Sequence, residues 1–403
     1  MLTDQLTITA PDKRTHHDAL IDLISKIFSQ EGYFTFRDFC RLAYVDHSHY
    51  DWTVSRIGFF DEQVVTHYGV WGYDMRIGEA RVRTGGIGAV ATHSDCRKRG
   101  YMAQTIRASL AAMRDAGYDI SILFGIDNFY HKFGYVRGWP ERFYTVSVAD
   151  LPSELPAVRA QKFSPRRRAD LDELYNREYA LFTGTAVRPT YLNYGFFCHR
   201  NLLGYRWNAG EGIPAGYVLF FQQGTRLNCI EAVGDPEQIL CVLAMNARRL
   251  GCAEVEFRTF PPQSPLCKRL RRGICREVAE YRRCGGEMIA LINLTSTLEK
   301  LTGELTRRLQ ASPLRDWQGD LCIVAQQERA NLSIRQGTVC LTAPVDTPHA
   351  IQGGNEIVRL LVGVDAPDAV IEDAGMQVTG DAGQLAQVLF PNQYPNLSFF
   401  DRY

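Results

Sequence analysis

The chain has 403 residues, a length typical of two to four domains. Hydrophobic residues make up 45% and charged residues 22%, which excludes a disordered chain, a fibrous repeat and a small disulfide-stapled protein. The 45 basic residues balance the 45 acidic residues, so the net charge is zero. The basic excess typical of a general nucleic-acid binder is missing, and we expect no nucleic-acid partner.

The cysteines and the apolar segments predict a cytoplasmic protein without a metal centre. The 11 cysteines are scattered, form no CxxC pair and show no zinc-ligand spacing with histidine. We interpret them as small buried hydrophobes. The N-terminus lacks the apolar core of a signal peptide, and no apolar run approaches the roughly 18 residues of a membrane span, so we expect no membrane contact.

The first part of the chain, 1–150, predicts an α/β domain. Apolar residues recur at three- and four-residue steps in its helices and alternate in its strands. In chain order the predicted elements are helices at 17–30 and 36–44, strands at 53–60, 64–77, 80–84 and 87–92, a helix at 101–116, a strand at 118–124, a helical turn at 128–133 and a strand from Gly134.

The rest of the chain predicts two further domains, 151–288 and 289–403. In the middle domain a hairpin (214–221 and 226–233), a helix (235–250) and a strand (253–259) repeat the order of the first domain, as a second copy would. The last domain is α+β, with short strands and amphipathic helices. Its predicted elements are a helix at 297–310, strands at 321–325, 330–335 and 338–342, and helices at 355–361, 366–374 and 383–390.

The stretch from Ile87 to Met102 carries the clearest chemical signal. A strand ends there, a loop with three basic residues and Gly100 follows, and a helix begins. Free backbone N–H groups and the helix dipole at such a turn suit a pyrophosphate, and a glycine lets the ligand approach the backbone closely. A solvated basic turn before an ordinary helix explains the loop equally well when the loop is taken alone.

This strand, loop, helix and strand, followed by FYHKFGYV at 129–136, resemble motifs A and B of the GCN5-related N-acetyltransferase (GNAT) superfamily. Arg97 and Gly100 match the first two anchors of its R/Q-x-x-G-x-G/A loop, whereas Met102 replaces the small last residue. Over essentially its full length the chain resembles a narrower branch, the Eis (enhanced intracellular survival) family. Members of that family carry two tandem GNAT-like domains and a C-terminal domain similar to sterol carrier protein 2 (SCP2-like).

The resemblance implies acetyl-CoA as co-substrate, bound in the first domain only, because no matching loop follows a strand in the second domain. It also implies a homo-oligomer, a hexamer in known cases. Strand backbone would pair with the pantetheine arm as an added strand does. The implied cofactor-binding residues are Val90, Ala91 and Thr92 for pantetheine, and Arg97, Lys98, Arg99, Gly100, Tyr101 and Met102 for pyrophosphate.

The resemblance also implies two catalytic residues, Tyr130 and Tyr403. Tyr130 would be the general acid that protonates the leaving CoA thiolate, and the α-carboxylate of Tyr403 would be the base. Packing alone is the alternative explanation of Tyr130. The aromatic, proline-containing segment 391–402 fits a docked terminus, and burial of two phenylalanines explains that segment as well. Competing bases are His93, His131 and Glu62.

The acceptor stays open among polyamines, aminoglycosides and protein lysines, all of them amines. Four aromatic residues of the early helices either line an acceptor pocket or belong to the core: Phe28, Phe34, Phe36 and Phe39. A lipid-binding scaffold or an acyl-CoA sensor that uses the SCP2-like domain is the alternative from another class. The intact loop and Tyr130 favour the enzyme, because a carrier needs neither.

Overall fold

The computed structural model describes residues 6–29, 32–151, 158–164, 169–189, 201–210 and 212–403. Within these ranges the strands form three mixed sheets of seven, seven and five strands, surrounded by helices. The strands are β1 (Thr7–Thr9), β2 (Arg56–Phe60), β3 (Gln63–Ile77), β4 (Ala80–Thr92), β5 (Ile120–Gly125), β6 (Val136–Arg137), β7 (Glu141–Ser147), β8 (Gln161–Phe163), β9 (Leu203–Asn208), β10 (Pro214–Gln223), β11 (Arg226–Val233), β12 (Glu254–Arg258), β13 (Arg276–Glu280), β14 (Gly286–Leu291), β15 (Gly319–Ala325), β16 (Glu328–Arg335), β17 (Thr338–Thr342), β18 (His349–Gly353) and β19 (Gln377–Thr379). The helices are α1 (His17–Phe28), α2 (Tyr33–Phe39), α3 (Tyr101–Asp115), α4 (Ala169–Glu178), α5 (Pro236–Arg249), α6 (Pro265–Arg271), α7 (Leu294–Gln310), α8 (Ile357–Val362), α9 (Pro367–Asp373) and α10 (Ala382–Leu389).

The first sheet has the order β1-β2-β3-β4-β5-β14-β6. The meander β2-β3-β4 is antiparallel, and β5 runs parallel to β4 after the crossover through α3. Helix α3 packs on one face, where Ile106 and Met113 join a buried cluster with Ile87. Helix α1 packs on the other face, where Leu20 and Trp71 belong to a different cluster.

Strand β4 is a single strand, so the prediction of a break at Gly85-Gly86 is wrong. A Cβ built on Gly85 would lie less than 3.0 Å from Met113 of α3, and one built on Gly86 would lie less than 3.0 Å from the ring of Tyr403. Neighbouring residues of a strand face opposite sides of the sheet. The two glycines therefore permit close packing on both faces of a continuous strand, and they do not mark a turn.

The first two sheets exchange one strand each. Strand β7 belongs to the first 150 residues but pairs with β12 and β13 of the second sheet. Strand β14 crosses position 288 and pairs with β5 and β6 of the first sheet. Positions 150 and 288 mark changes in sequence pattern, whereas the sheets are built across both positions.

The second sheet has the order β13-β7-β12-β11-β10-β9-β8. The predicted hairpin is confirmed, since β10 and β11 pair antiparallel. Helix α5 begins at a Pro, and the side chain of Asp235 caps it by accepting hydrogen bonds from two backbone N–H groups. Strand β12 then runs parallel to β11. The succession hairpin, helix and parallel strand therefore occurs in both seven-stranded sheets.

The third sheet has the order β17-β16-β15-β18-β19. Four leucines of α7 are fully buried at helical spacing: Leu298, Leu301, Leu305 and Leu309. The sequence analysis missed β18, which pairs parallel with β15. The strand is flanked by Pro348 and Gly354, residue types that are typical of loops, and its pairing partner is distant along the chain, so the local sequence did not indicate a strand.

Residues 396–403 pack between the first two sheets. The backbone N–H of Asn396 donates to the carbonyl of Thr183 at 3.0 Å, and the N–H of Phe399 donates to Oγ1 of Thr259 at 3.2 Å. Phe400 is fully buried. We call residues 396–403 the tail.

Candidate active site

Strands β4 and β5 separate at their carboxyl ends. Their parallel pairing runs from Thr84 opposite Ile120 to Ile87 opposite Leu123 and ends there. Strand β4 continues to Thr92. A gap therefore opens beside the last third of β4, at the edge where an extended ligand can pair with the strand.

The register of β3 decides which residues of β4 face this gap. The N–H of His93 donates to the carbonyl of Val65 at 2.8 Å, and Ala91 lies opposite His67. Alternate residues of a strand direct their backbone groups to opposite neighbours. Ala91 therefore faces β3, while Val90 and Thr92 present their backbone groups to the gap.

A β-bulge lies at the mouth of the gap. Between the pairs His67–Ala91 and Gly69–Gly88, β4 has one more residue than β3. Ala89 occupies the left-handed region with φ +47°, where a non-glycine residue is strained. The sequence analysis missed this bulge and the buried His67 beside it, although a histidine in the apolar run VVTHYGVW was a visible signal.

The predicted pyrophosphate loop is an exposed turn leading into α3. Lys98 and Gly100 both have left-handed backbone, with φ +62° and +79°. A turn that contains such conformations can direct backbone N–H groups into one concavity. The space beside Gly100 is open, since a Cβ built there meets no atom within 4 Å. The loop therefore fits a diphosphate group.

Met102, the departure from the GNAT signature, is buried. Its side chain joins the cluster of α3, β4 and β5 that also contains Ile106 and Tyr130. The position therefore offers a backbone N–H to a ligand while its side chain packs inward. Tyr101 packs beside Phe60, with ring centroids 5.7 Å apart.

Tyr130 lies in a short 3₁₀ turn, Tyr130–Phe133, on the α3 face of the first sheet. It is buried in the same cluster as Ile87 and Leu123, the last paired residues of β4 and β5. Burial raises the pKa of the Tyr130 phenol, and the nearby Tyr135 adds to the rise. The rise favours the protonated hydroxyl, which can donate a hydrogen bond.

Tyr403 lies on the opposite face of the same sheet. Its ring packs on Gly86 and near Phe124, with ring centroids of Phe124 and Tyr403 5.9 Å apart. Its backbone carboxyl carbon lies 3.2 Å from where a Cβ of Gly88 would stand. The two predicted catalytic tyrosines therefore lie on opposite faces of the first sheet, Tyr130 in the cluster of Ile87 and Leu123 and Tyr403 on Gly86 and Gly88.

Arg402, next to Tyr403, binds carboxylates from two exchanged strands. Its guanidinium lies 3.0 Å from Glu141 of β7 and 3.4 Å from Glu287 of β14. Burial raises the pKa of Glu287, which the cation of Arg402 counteracts. The sequence analysis missed both glutamates, because they are distant from the tail along the chain.

A buried cluster anchors the tail to the second sheet. The guanidinium of Arg188 binds Asp401 of the tail, with Nε 3.0 Å from Oδ1, and it also binds Glu231 of β11. Ser398 donates to Glu231 at 3.1 Å. The ring of Tyr175 lies 3.5 Å below the guanidinium. The side chains of all three ionised residues are at most 2% exposed.

The same tail fills the equivalent gap of the second sheet. Parallel pairing of β11 and β12 ends at Cys229 opposite Phe257, while β11 continues to Val233. Tail residues bind both diverging ends, through Thr259 after β12 and Glu231 of β11. Phe400 packs with residues of β10 and β11.

The competing bases lie apart from the contacts that Tyr403 makes. Glu62 is exposed in the β2–β3 turn with φ +62°. His93 lies 4.0 Å from Asp95. His131 is exposed and lines a cavity of ≈ 340 Å³ between the sheets, which Glu141 and Glu287 also line.

The four early phenylalanines divide between surface and core. Phe34 is 75% exposed and Phe28 is also exposed, whereas Phe39 is buried. Aromatic rings contact one another in a row that ends beside Gly88: centroid distances are 5.6 Å for Phe36–Phe39, 5.3 Å for Phe39–Tyr44 and 4.5 Å for Tyr44–Trp71. A Cβ on Gly88 would meet Tyr44 and Trp71.

Residues 11–138 match the family model of an acetyltransferase (GNAT) domain. These residues form a GNAT acetyltransferase domain. The prediction of an acyl-CoA-dependent N-acetyltransferase is thereby confirmed. No curated protein sequence gives a significant match to the chain.

Solved structures similar to the whole chain share its fold at low sequence identity. A GCN5-related N-acetyltransferase from Anabaena variabilis has a TM-score of 0.78 at 16% identity, and one from Kribbella flavida has 0.75 at 20%. An Eis protein from Mycobacterium abscessus has 0.69 at 14%. Each comparison covers 99% of this chain and 100% of the other.

In the described ranges, no group of three or more His, Cys, Asp and Glu is placed to hold a metal ion. Among the helices of the same residues, none combines the length and the apolarity that crossing a bilayer requires.

Proposed function

We propose that this protein transfers the acetyl group of acetyl-CoA to a primary amine in the first domain. The observation that carries the proposal is the placement of Tyr130 and Tyr403 on opposite faces of the sheet, where β4 and β5 separate. An acid on the thiol side and a base on the amine side are what direct transfer between two substrates requires.

Acetyl-CoA would be held by backbone more than by side chains. The amides of pantetheine would pair with Val90 and Thr92, and the pyrophosphate would bind the turn from Arg97 to Met102. Three exposed cations in that turn, Arg97, Lys98 and Arg99, add positive charge. Ala91, whose backbone faces β3, would contribute through strand geometry and not through a hydrogen bond to the ligand.

Attack forms a C–N bond at the thioester carbonyl carbon and breaks the C–S bond, and the electron pair leaves on sulfur. The proton of the amine passes to the α-carboxylate of Tyr403, directly or through water. Tyr130 gives its proton to the departing thiolate, and the proton held by the Tyr403 carboxyl group returns to Tyr130 through water, which restores both residues. Appending one Gly after Tyr403 moves that carboxylate by about 3.3–3.6 Å, and we expect it to lower kcat more than it changes acetyl-CoA binding.

A cationic amine suits the surroundings of Tyr403. Tyr44 and Trp71 lie beside Gly88 next to it, the ring of Tyr73 lies 6.1 Å from its ring, and aromatic rings attract ammonium groups. These features support an amine acceptor of the polyamine, aminoglycoside or lysine type without choosing among them.

The wider architecture supports an Eis-like enzyme. We infer that the second sheet is a degenerate GNAT-like copy, since it repeats the element order and its gap holds the tail. The third sheet would be the SCP2-like domain. The cytoplasmic location, the homo-oligomer and the alternative of a lipid-binding or acyl-CoA-sensing scaffold stay predictions.

A thiol-release assay with a panel of amines tests the proposal. Tyr130→Phe should lower kcat by about 10²–10⁴ while the Kd for acetyl-CoA changes little. The matched control is Tyr205→Phe, a buried tyrosine of the second sheet, which should keep both values. An unchanged kcat in Tyr130→Phe would assign the acid elsewhere, and failure to release thiol with any amine would favour the acyl-CoA sensor.

A further inference from the structure

His67 is buried in the centre of the first sheet with both ring nitrogens engaged. Its Nδ1 lies 2.7 Å from the carbonyl oxygen of Ala89, and its Nε2 lies 2.8 Å from the hydroxyl of Tyr50. A carbonyl oxygen only accepts, so Nδ1 carries the proton and Nε2 accepts from Tyr50. The hydrogen bonds therefore define one neutral tautomer.

The bond from His67 holds the strained residue of the bulge. A non-glycine residue at φ +47° persists only where the surroundings hold it. In a planar trans peptide the C=O and the N–H point in opposite directions. Since the carbonyl of Ala89 points to His67 on the β3 side, the N–H of Val90 points to the gap beside β5.

That N–H is placed to act on the reacting carbonyl. Negative charge builds on the thioester oxygen during amine attack, and a backbone donor fixed in advance stabilises that charge. Val90 is the residue of the bulge whose backbone faces the gap. A change in the direction of the Ala89–Val90 peptide would remove this donor, whereas the carbonyl of Val90, the backbone of Thr92 and the pyrophosphate loop would still hold acetyl-CoA.

We propose that His67 is a positioning residue that fixes the Ala89–Val90 peptide, so that the N–H of Val90 binds the carbonyl oxygen of the acetyl thioester. His67 neither gives nor takes a proton in the reaction. The proposal rests on the proposed function, because it needs acetyl-CoA in the gap.

The sharpest test compares two amides at this position. In His67→Asn the side-chain NH₂ replaces Nδ1 and can still donate to Ala89, whereas in His67→Gln it replaces Nε2 and reaches towards Tyr50. We expect kcat to fall about 100-fold in the Gln variant, the cost of one oxyanion donor, and to stay within tenfold in the Asn variant. The Kd for acetyl-CoA should change less than threefold in both.

Infrared spectra of bound acetyl-CoA carrying a ¹³C carbonyl provide a readout that a purely structural role would not affect. The carbonyl stretch should be lowered in the wild type and the Asn variant, and it should return towards its free value in the Gln variant. Val82→Ala, a fully buried change at the far end of β4, controls for lost stability and should leave the stretch lowered.

Two results would overturn the inference. One is an equal kcat and an equal carbonyl stretch in the Asn and Gln variants. The other needs no variant: ¹⁵N NMR of the wild-type imidazole showing the proton on Nε2. A wild type that does not bind acetyl-CoA would instead defeat the proposed function, so the two failures are distinguishable.

Discussion

The ring of Tyr403 occupies the space that a side chain at Gly86 would need. A Cβ at position 86 would lie less than 3.0 Å from three atoms of that ring, a separation that real Cβ contacts do not show. Gly86 lies opposite Ile122 in the last part of the β4–β5 pairing. The glycine therefore lets the last residue of the tail lie directly on the sheet, next to the gap.

Gly86→Ala should displace the tail from the active site. We expect kcat to fall at least tenfold, because reacting groups must meet within about 2.6–3.2 Å. The Kd for acetyl-CoA, which binds the gap and the loop, should stay within a few fold. Gly303→Ala is the control: it lies in α7 with open space around it, and it should keep activity and raise stability slightly. Full activity in Gly86→Ala would contradict the assigned role of Tyr403.

Calorimetry should detect one acetyl-CoA site per chain, because the tail occupies the gap of the second sheet. Gly100→Val should abolish that binding. A β-branched residue is strained at φ +79°, and its side chain would enter the open space where the pyrophosphate fits. Two sites per chain would show that acetyl-CoA also enters the gap of the second sheet. Normal binding by the Gly100→Val variant would show that this loop does not bind the pyrophosphate.

Arg188→Leu should destabilise the fold by about 3–5 kcal/mol, because it leaves Asp401 and Glu231 buried without their cation. Urea unfolding measures the change. The control is Arg315→Leu, which removes an exposed ion pair with Asp316 and should cost less than about 1 kcal/mol. Equal effects of the two variants would mean that the Arg188 cluster does not anchor the tail.

Stability should depend on pH through His67. Burial lowers the pKa of His67 from 6.5 to about 4. Between these values the unfolded chain binds a proton that the folded chain does not, so the free energy of unfolding rises with pH. The contribution of His67 to that free energy is full above pH 6.5 and decreases by up to about 3 kcal/mol as the pH falls towards 4.

His67→Asn has no group that titrates there, so its stability should decline less over the same pH range. Denaturant titrations of both proteins at pH 4, 5, 6 and 7 measure the difference. Parallel pH profiles of the wild type and the Asn variant would show that His67 is not a buried neutral group.

The sequence by itself determined the local chemistry. Arg97, Gly100 and Tyr130 lie within one strand-loop-helix-strand segment, so their spacing along the chain identified the acetyltransferase domain that the family model also matches. The hairpin of β10 and β11 and the amphipathic helices were predictable for the same reason. Helical and strand periodicity depends only on residues that are close along the chain.

Only the tertiary structure decided what depends on distant residues. The pairing of β7 with the second sheet and of β14 with the first could not be predicted, because periodicity indicates a strand but not its partner. The tertiary structure showed that Gly85 and Gly86 allow packing on both faces, that Ala91 faces β3, and that Arg402 binds Glu141 and Glu287. Burial and strand register, which arise when remote segments meet, bring Tyr130 and Tyr403 to one gap and place His67 behind the bulge.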